Sequence, residues 1–175
     1  MLDYYTVMRQ GDSVMATVES LIINYGYFAL YGILALGIIG LPVPDEVLMT
    51  FVGYLTSTHV MNYPLALMIS ICGSVTGMFV SYTIGSKIGQ PFLLKYGKWL
   101  KLTPKRIHKV ESWFNRYGMW TINIAYFIPG FRHITSYIAG TSGMNKMKYM
   151  LFATTGAVIW CFTFLLIGKL VGVHF

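Results

Sequence analysis

Hydrophobic positions in this chain come in long continuous runs, not in the alternating or one-sided patterns of a soluble fold. Residues 21–40 are apolar apart from Asn24 and interspersed Tyr and Gly, and apolar runs return at 47–55, 65–84, 119–139 and 147–172. A helix needs about 20 apolar residues to cross a bilayer, so 65–84 and 147–172 predict spanning helices. Two other runs are interrupted: Leu41-Pro42-Val43-Pro44-Asp45-Glu46 stops the first, and Phe127-Ile128-Pro129-Gly130-Phe131-Arg132-His133 splits 119–139. Proline has no backbone donor and resists helix interiors, so Pro42, Pro44, Pro129 and Gly130 predict two breaks at membrane depth. The limb after the first break is too short to span, and Thr56-Ser57-Thr58-His59 and Asn62-Tyr63-Pro64 follow it as a polar connection. That predicts a re-entrant hairpin. Within 65–84, Gly73, Ser74, Gly77 and Ser81 form a stripe of small residues, the kind that lets helices approach closely in lipid, and packing is expected of it.

Composition strengthens the membrane reading. The 175 residues are 55% hydrophobic and 11% charged, against the quarter charged that is usual in soluble domains. An integral membrane protein of one domain is expected, with no room for a separate soluble enzyme domain. The net charge of +7 is concentrated, because eight basic residues (Lys87, Lys95, Lys98, Lys101, Lys105, Arg106, Lys109, Arg116) fall within 87–116 and only Glu111 opposes them. By the positive-inside rule this is a basic cytoplasmic linker. Its Trp99, Trp113 and Phe114 fit a helix on an anionic membrane surface, started at Thr103-Pro104, more simply than a nucleic-acid binder. Residues 1–20 mix charges with apolar side chains as an interfacial amphipathic segment would, and no removed signal peptide is expected. Cys72 and Cys161 lie in apolar runs without neighbouring His, so both are expected to be structural. Neither a metal nor a cofactor is expected.

The two halves repeat one another. Eleven residues separate Pro42 from Gly53 and Pro129 from Gly140; Met61-Asn62 recurs as Met144-Asn145; twelve separate Gly73 from Gly85 and Gly156 from Gly168. Lys87 puts the end of the first spanning helix in the cytoplasm, whereas Lys146 and Lys148 put the start of the second there. The repeats are therefore expected to be inverted, which is the architecture of many secondary transporters. The predicted layout is an all-α membrane protein: an N-terminal segment at 1–20, then one membrane domain over 21–172. That domain divides into repeat one at about 21–86, the linker 87–116 and repeat two at about 117–172.

Asp45 and Glu46 are the only formal charges between 20 and 86, and Arg132 the only one between 117 and 145. Charges at membrane depth cost several kcal/mol or more unless paired or hydrated, which makes them functional candidates; the alternative is an ion pair that closes the hairpin tips. Arg132 offers a planar fork of donors suited to phosphate, so the two breaks predict a polar site for a lipid headgroup. His133 is a candidate for proton exchange near neutral pH, although a lone histidine is commonly a passive hydrogen-bonding residue. Glu46, expected to face inward ahead of Asp45 because it begins the second limb, is a candidate proton carrier or competitor for Arg132.

These residues resemble those of the bacterial DedA family of membrane proteins. The resemblance lies in Leu41-Pro-Val-Pro-Asp-Glu46 with Gly53, the Gly73…Gly77…Tyr82-Thr-Ile-Gly85 helix, Phe127-Ile-Pro-Gly-Phe-Arg132 with Ala139-Gly140, and Gly156…Trp160, over about residues 20–172. It implies two re-entrant hairpins facing each other and the movement of lipids between leaflets. Undecaprenyl phosphate is the first implied substrate and phosphatidylethanolamine the alternative, with proton coupling. By position, Glu46 and Arg132 match the family's hairpin acid and second hairpin arginine. Met78 stands where the family commonly has Asp, and Tyr126 where it commonly has Arg, so Tyr126 joins Arg132, Glu46, Asp45 and His133 as an expected substrate-binding position. An acid and a base missing together fit the loss of a mutual ion pair, and a less basic site favours a zwitterionic lipid.

A multi-pass protein of the bacterial plasma membrane is expected, binding a phospholipid or polyprenyl phosphate with protons as candidate coupling ions, in a dimer if oligomeric, and not acting as an enzyme. A membrane phosphatase would need a nucleophile and a general acid, for which His133 beside Arg132 is the one hint. An assembly factor docking through the basic segment is the third reading.

Overall fold

The structure, a computed structural model, describes residues 25–37, 45–96, 104–128 and 131–174. Among these residues the chain is helical and holds no strand: α1 Tyr25–Leu36, α2 Asp45–Ser57, α3 Tyr63–Tyr96, α4 Pro104–Tyr117, α5 Trp120–Tyr126, α6 Phe131–Thr141 and α7 Lys146–His174. The N-terminal segment 1–20 and the breaking residues Pro42, Pro44, Pro129 and Gly130 lie outside the described residues. The described residues show α5 ending at Tyr126, ahead of the second break. In α5, Phe127 N–H bonds back to Ile124 O and Ile128 N–H to Ala125 O, and α6 begins at Phe131.

Among the described residues two helices are long and apolar enough to cross a bilayer, α3 over Tyr63–Ile88 and α7 over Lys146–Val173. The core helix of a soluble protein would be mostly buried, yet only 33% of the apolar stretch in α7 and 44% of that in α3 is buried. Met68, Leu151, Phe162 and Leu170 point outward from them, an apolar exterior suited to hydrocarbon. Helix α3 is longer than its apolar run and carries the start of the basic stretch, through Lys87 and Lys95, as helix; lysine is a good helix former once outside the apolar layer.

The two long helices run antiparallel. Lys146 Nζ, at the start of α7, lies 4.7 Å from the Phe79 ring centroid, and Lys169 Nζ, near its end, lies 5.0 Å from that of Tyr63 at the start of α3. Between them Tyr82 and Tyr149 stack at 4.4 Å, and the buried Tyr149 hydroxyl donates to Met78 O at 3.1 Å. Tyr149→Phe removes that link. A buried neutral hydrogen bond is worth about 1 kcal/mol, so a modest fall in the thermal unfolding midpoint of the detergent-purified protein is expected.

The recurring Met-Asn pairs are helix starts. Asn62 Oδ1 accepts from Leu65 N–H at 3.2 Å ahead of α3, and Asn145 Oδ1 accepts from Met147 and Lys148 N–H at 3.0 and 3.2 Å ahead of α7. Such side-chain caps satisfy backbone donors that have no partner within the helix.

The recurring glycines are helix crossings. Helix α2 packs on α7 and α6 on α3. A Cβ on Gly168 would collide with Thr50 O and one on Gly53 with Leu165 O; a Cβ on Gly85 would collide with Tyr137 O and one on Gly140 with Tyr82 O. Each of the four partners is a backbone oxygen, so only glycine permits these approaches. Gly73 and Gly77 likewise lie against the α1 backbone at Tyr31, Leu34 and Ala35, as the small-residue stripe predicts.

Helix α4 covers the start of α6. Its Val110 is buried while His108, Lys109, Glu111 and Arg116 are exposed, and Lys109 Nζ sits 5.2 Å from the Trp113 ring centroid and 5.5 Å from that of Phe131.

Candidate functional site

Helices α2 and α6 both start beside the breaks, and their first residues meet. Asp45 opens α2 and Arg132 is the second residue of α6; the two stand three residues after Pro42 and Pro129 respectively. Arg132 Nη2 lies 2.8 Å from Asp45 Oδ2. The arginine is 3% exposed and is held on every side. Its Nε–H donates to His133 Nε2 at 3.2 Å, and its guanidinium carbon lies 5.3 Å from the Trp160 ring centroid. A Cβ on Gly37, at the end of α1, would stand 3.1 Å from Nη2, so glycine there leaves the guanidinium its space.

His133 reaches in turn to α3, where its Nδ1 is 3.0 Å from Ser81 Oγ, which bonds Gly77 O at 3.0 Å. Ser81, expected to serve packing alone, thus also supports the site.

Hydrogen-bonding capacity around Arg132 is not used up. Among the described residues, buried Nη1 has no hydrogen-bond partner, and Nη2, though close to Asp45, makes an ionic contact without a well-directed hydrogen bond. The Trp160 Nε1–H is also buried and unpartnered. Spare donors on a buried cation, at a helix N-terminus whose dipole is itself positive, form an environment that an anion neutralises.

Tyr126 closes the site on the α5 side. It is 1% exposed, donates its hydroxyl to Ala153 O at 2.9 Å and lays its ring where Gly156 lacks a Cβ. Tyr126 and Met78 share one buried cluster with Tyr149 and Trp160. The two positions that depart from the family pattern are therefore filled together by apolar packing. Both cysteines are free, with Cys161 buried and Cys72 exposed.

The structure differs from the sequence expectation over the two acids. Asp45, not Glu46, meets the arginine. Because α2 begins at Asp45, one further residue rotates Glu46 by about 100° around the helix. It faces an open groove against α7 with Thr50, Phe51, Tyr54 and Val171. Trp160, Ser81 and Gly37 were not expected at the site. The legible signal was Trp160, whose indole N–H in the middle of an apolar helix needs a partner.

Comparison with known proteins agrees with this picture. The VTT domain matches residues 43–170. The membrane protein YbfM of Bacillus subtilis is 50% identical over 159 residues, 91% of this chain and 98% of YbfM. Undecaprenyl phosphate transporter A of Staphylococcus aureus is 28% identical over 156 residues, covering 87% of this chain and 77% of the transporter. An alkaline phosphatase-like protein of Lactococcus lactis is 31% identical over 154 residues, 85% of this chain and 72% of that one. No solved structure matches. With its VTT domain and the helices described above, the chain belongs to the DedA family of membrane proteins.

Proposed function

We propose that this protein carries a phosphate-headed lipid between membrane leaflets, undecaprenyl phosphate first, with Arg132 as the headgroup-binding base. The observation that carries the reading is the spare donor capacity of a buried Arg132. A purely structural arginine at membrane depth would be expected to saturate its five donors. The relative named as an undecaprenyl phosphate transporter supports the substrate class.

Alternating access would use the two halves as inverted repeats with re-entrant hairpins. Three correspondences support this: the matched Asn caps, the matched glycine crossings and the Asp45–Arg132 pair at equivalent positions. In this reading the membrane domain runs over 21–172 as two repeats around the basic linker, with Lys87, Lys146 and Lys148 cytoplasmic. The protein is multi-pass in the bacterial plasma membrane. Asp45, Glu46, His133 and Tyr126 line the path, and Glu46, open to the groove, is the proton-exchanging acid.

A second reading, phosphatidylethanolamine as substrate, is favoured by charge. Asp45 already neutralises Arg132 and Glu46 opens α2 beside it, two acids for one base, and a zwitterionic headgroup would bring an ammonium for the second acid. A membrane phosphatase is the reading suggested by the relative named alkaline phosphatase-like.

Proteoliposomes carrying labelled undecaprenyl phosphate or labelled phosphatidylethanolamine, with and without a pH gradient, test these readings. Protein-dependent movement of undecaprenyl phosphate, faster with the gradient, is expected. Movement of phosphatidylethanolamine alone selects the second reading, and release of inorganic phosphate selects the enzyme.

A further inference from the structure

We infer that His133 is a positioning residue: anchored by Ser81 in its Nδ1–H form, it accepts the Arg132 Nε–H and so aims the free edge of the guanidinium at the headgroup. This rests on the reading of Arg132 as the headgroup-binding base.

The proton inventory fixes the arrangement. Ser81 Oγ has one proton and two neighbours, Gly77 O at 3.0 Å and His133 Nδ1 at 3.0 Å. A carbonyl oxygen only accepts, so the hydroxyl proton goes to Gly77 and Oγ receives the Nδ1–H of the imidazole. At the other ring nitrogen, the Arg132 Nε–H only donates, so Nε2, 3.2 Å away, must be bare. Neutral imidazole protonated on Nδ1 is the one form that satisfies both ends.

A guanidinium is planar, so directing its Nε–H orients the entire fork. With Nε on His133 and Nη2 on Asp45, the unpartnered Nη1 is left for a ligand. Gly37 leaves room for the edge that His133 and Asp45 hold, since a Cβ there would stand 3.1 Å from Nη2 and 3.2 Å from His133 Nε2. The alternative, that His133 merely ties α6 to α3, is redundant. Those helices are already locked by the backbone approaches of Gly85 to Tyr137 and of Gly140 to Tyr82.

The test uses the full chain in nanodiscs, 15N-labelled at histidine, with the His133 signals assigned by their loss in His133→Gln. The nitrogen shifts are expected to report a protonated Nδ1 and a bare Nε2. Binding of a short-chain polyprenyl monophosphate is expected to weaken roughly 10-fold or more in His133→Leu, the scale of a lost hydrogen bond to a charged group. Most of that is expected back in His133→Gln, whose amide oxygen reaches the place of Nε2. Protonated Nε2 overturns the proposal. So does Gln binding no better than Leu when both variants unfold at the wild-type temperature. Arg132→Lys binding the probe as well as wild type defeats the headgroup reading instead, and leaves the tautomer result standing.

Discussion

Replacing Arg132 with alanine is expected to abolish lipid translocation while the protein still folds. Among the described residues the side chain lost is the one buried cation with a free donor edge, and Asp45, which stays behind, is the less buried partner, with 23% side-chain exposure against 4%. Asp45→Ala acts in the opposite way. It leaves a buried guanidinium without a counter-charge, and removing one member of a buried pair costs roughly 3–5 kcal/mol. The arginine variant is therefore expected to lose transport with modest loss of stability, and the aspartate variant to lose stability first. Arg132→Lys is not expected to restore transport, because an ammonium is a point charge without the fork. Translocation in proteoliposomes and thermal unfolding, measured side by side on the three variants, separate these outcomes. Wild-type transport by Arg132→Ala would remove Arg132 from the site.

Gly140→Val and Gly168→Val are expected to prevent stable folding altogether. A Cβ at either position collides with a carbonyl oxygen of the facing helix, Tyr82 O or Thr50 O, and a second contact follows at 2.8 Å with Ser86 N or Thr50 C. Backbone cannot swing aside as a flexible side chain does. The cost is expected to exceed the usual overpacking range of about 1–3 kcal/mol. Loss of the monodisperse peak in size-exclusion chromatography, or loss of membrane-inserted protein on expression, is the measurement. Gly32→Ala is the control: nothing lies within 4 Å of a Cβ there, and alanine favours the helix by roughly 1 kcal/mol, so unchanged or slightly raised stability is expected.

Much of this architecture is legible without coordinates because a bilayer imposes one-dimensional rules. Run length gave α3 and α7, and the second proline cluster gave the end of α5 ahead of α6. Equal spacings of glycine and Met-Asn gave positions that prove to be helix crossings and caps. The polar residues Asp45 and Arg132 stood out because charge is scarce at such depth. The limits are equally physical. Spacing told that glycines recur, but not that Gly53 faces Gly168, or that Gly85 meets Tyr137 and Gly140 meets Tyr82, since pairing between distant segments is a property of packing. Sequence placed two acids side by side and favoured the wrong one, because the phase of a helix is set by where its first turn locks.

What the chain alone determined is its class and its scarce charges: apolar length fixes which segments suit a membrane, and the cost of an unpaired charge there marks Asp45, Glu46 and Arg132. What only the tertiary structure decided is which of them meet. Ser81 and Trp160 join the arginine from α3 and α7, 51 and 28 residues away in the chain. Hydrogen bonds and stacking act over a few ångströms, and no pattern along a sequence measures that distance.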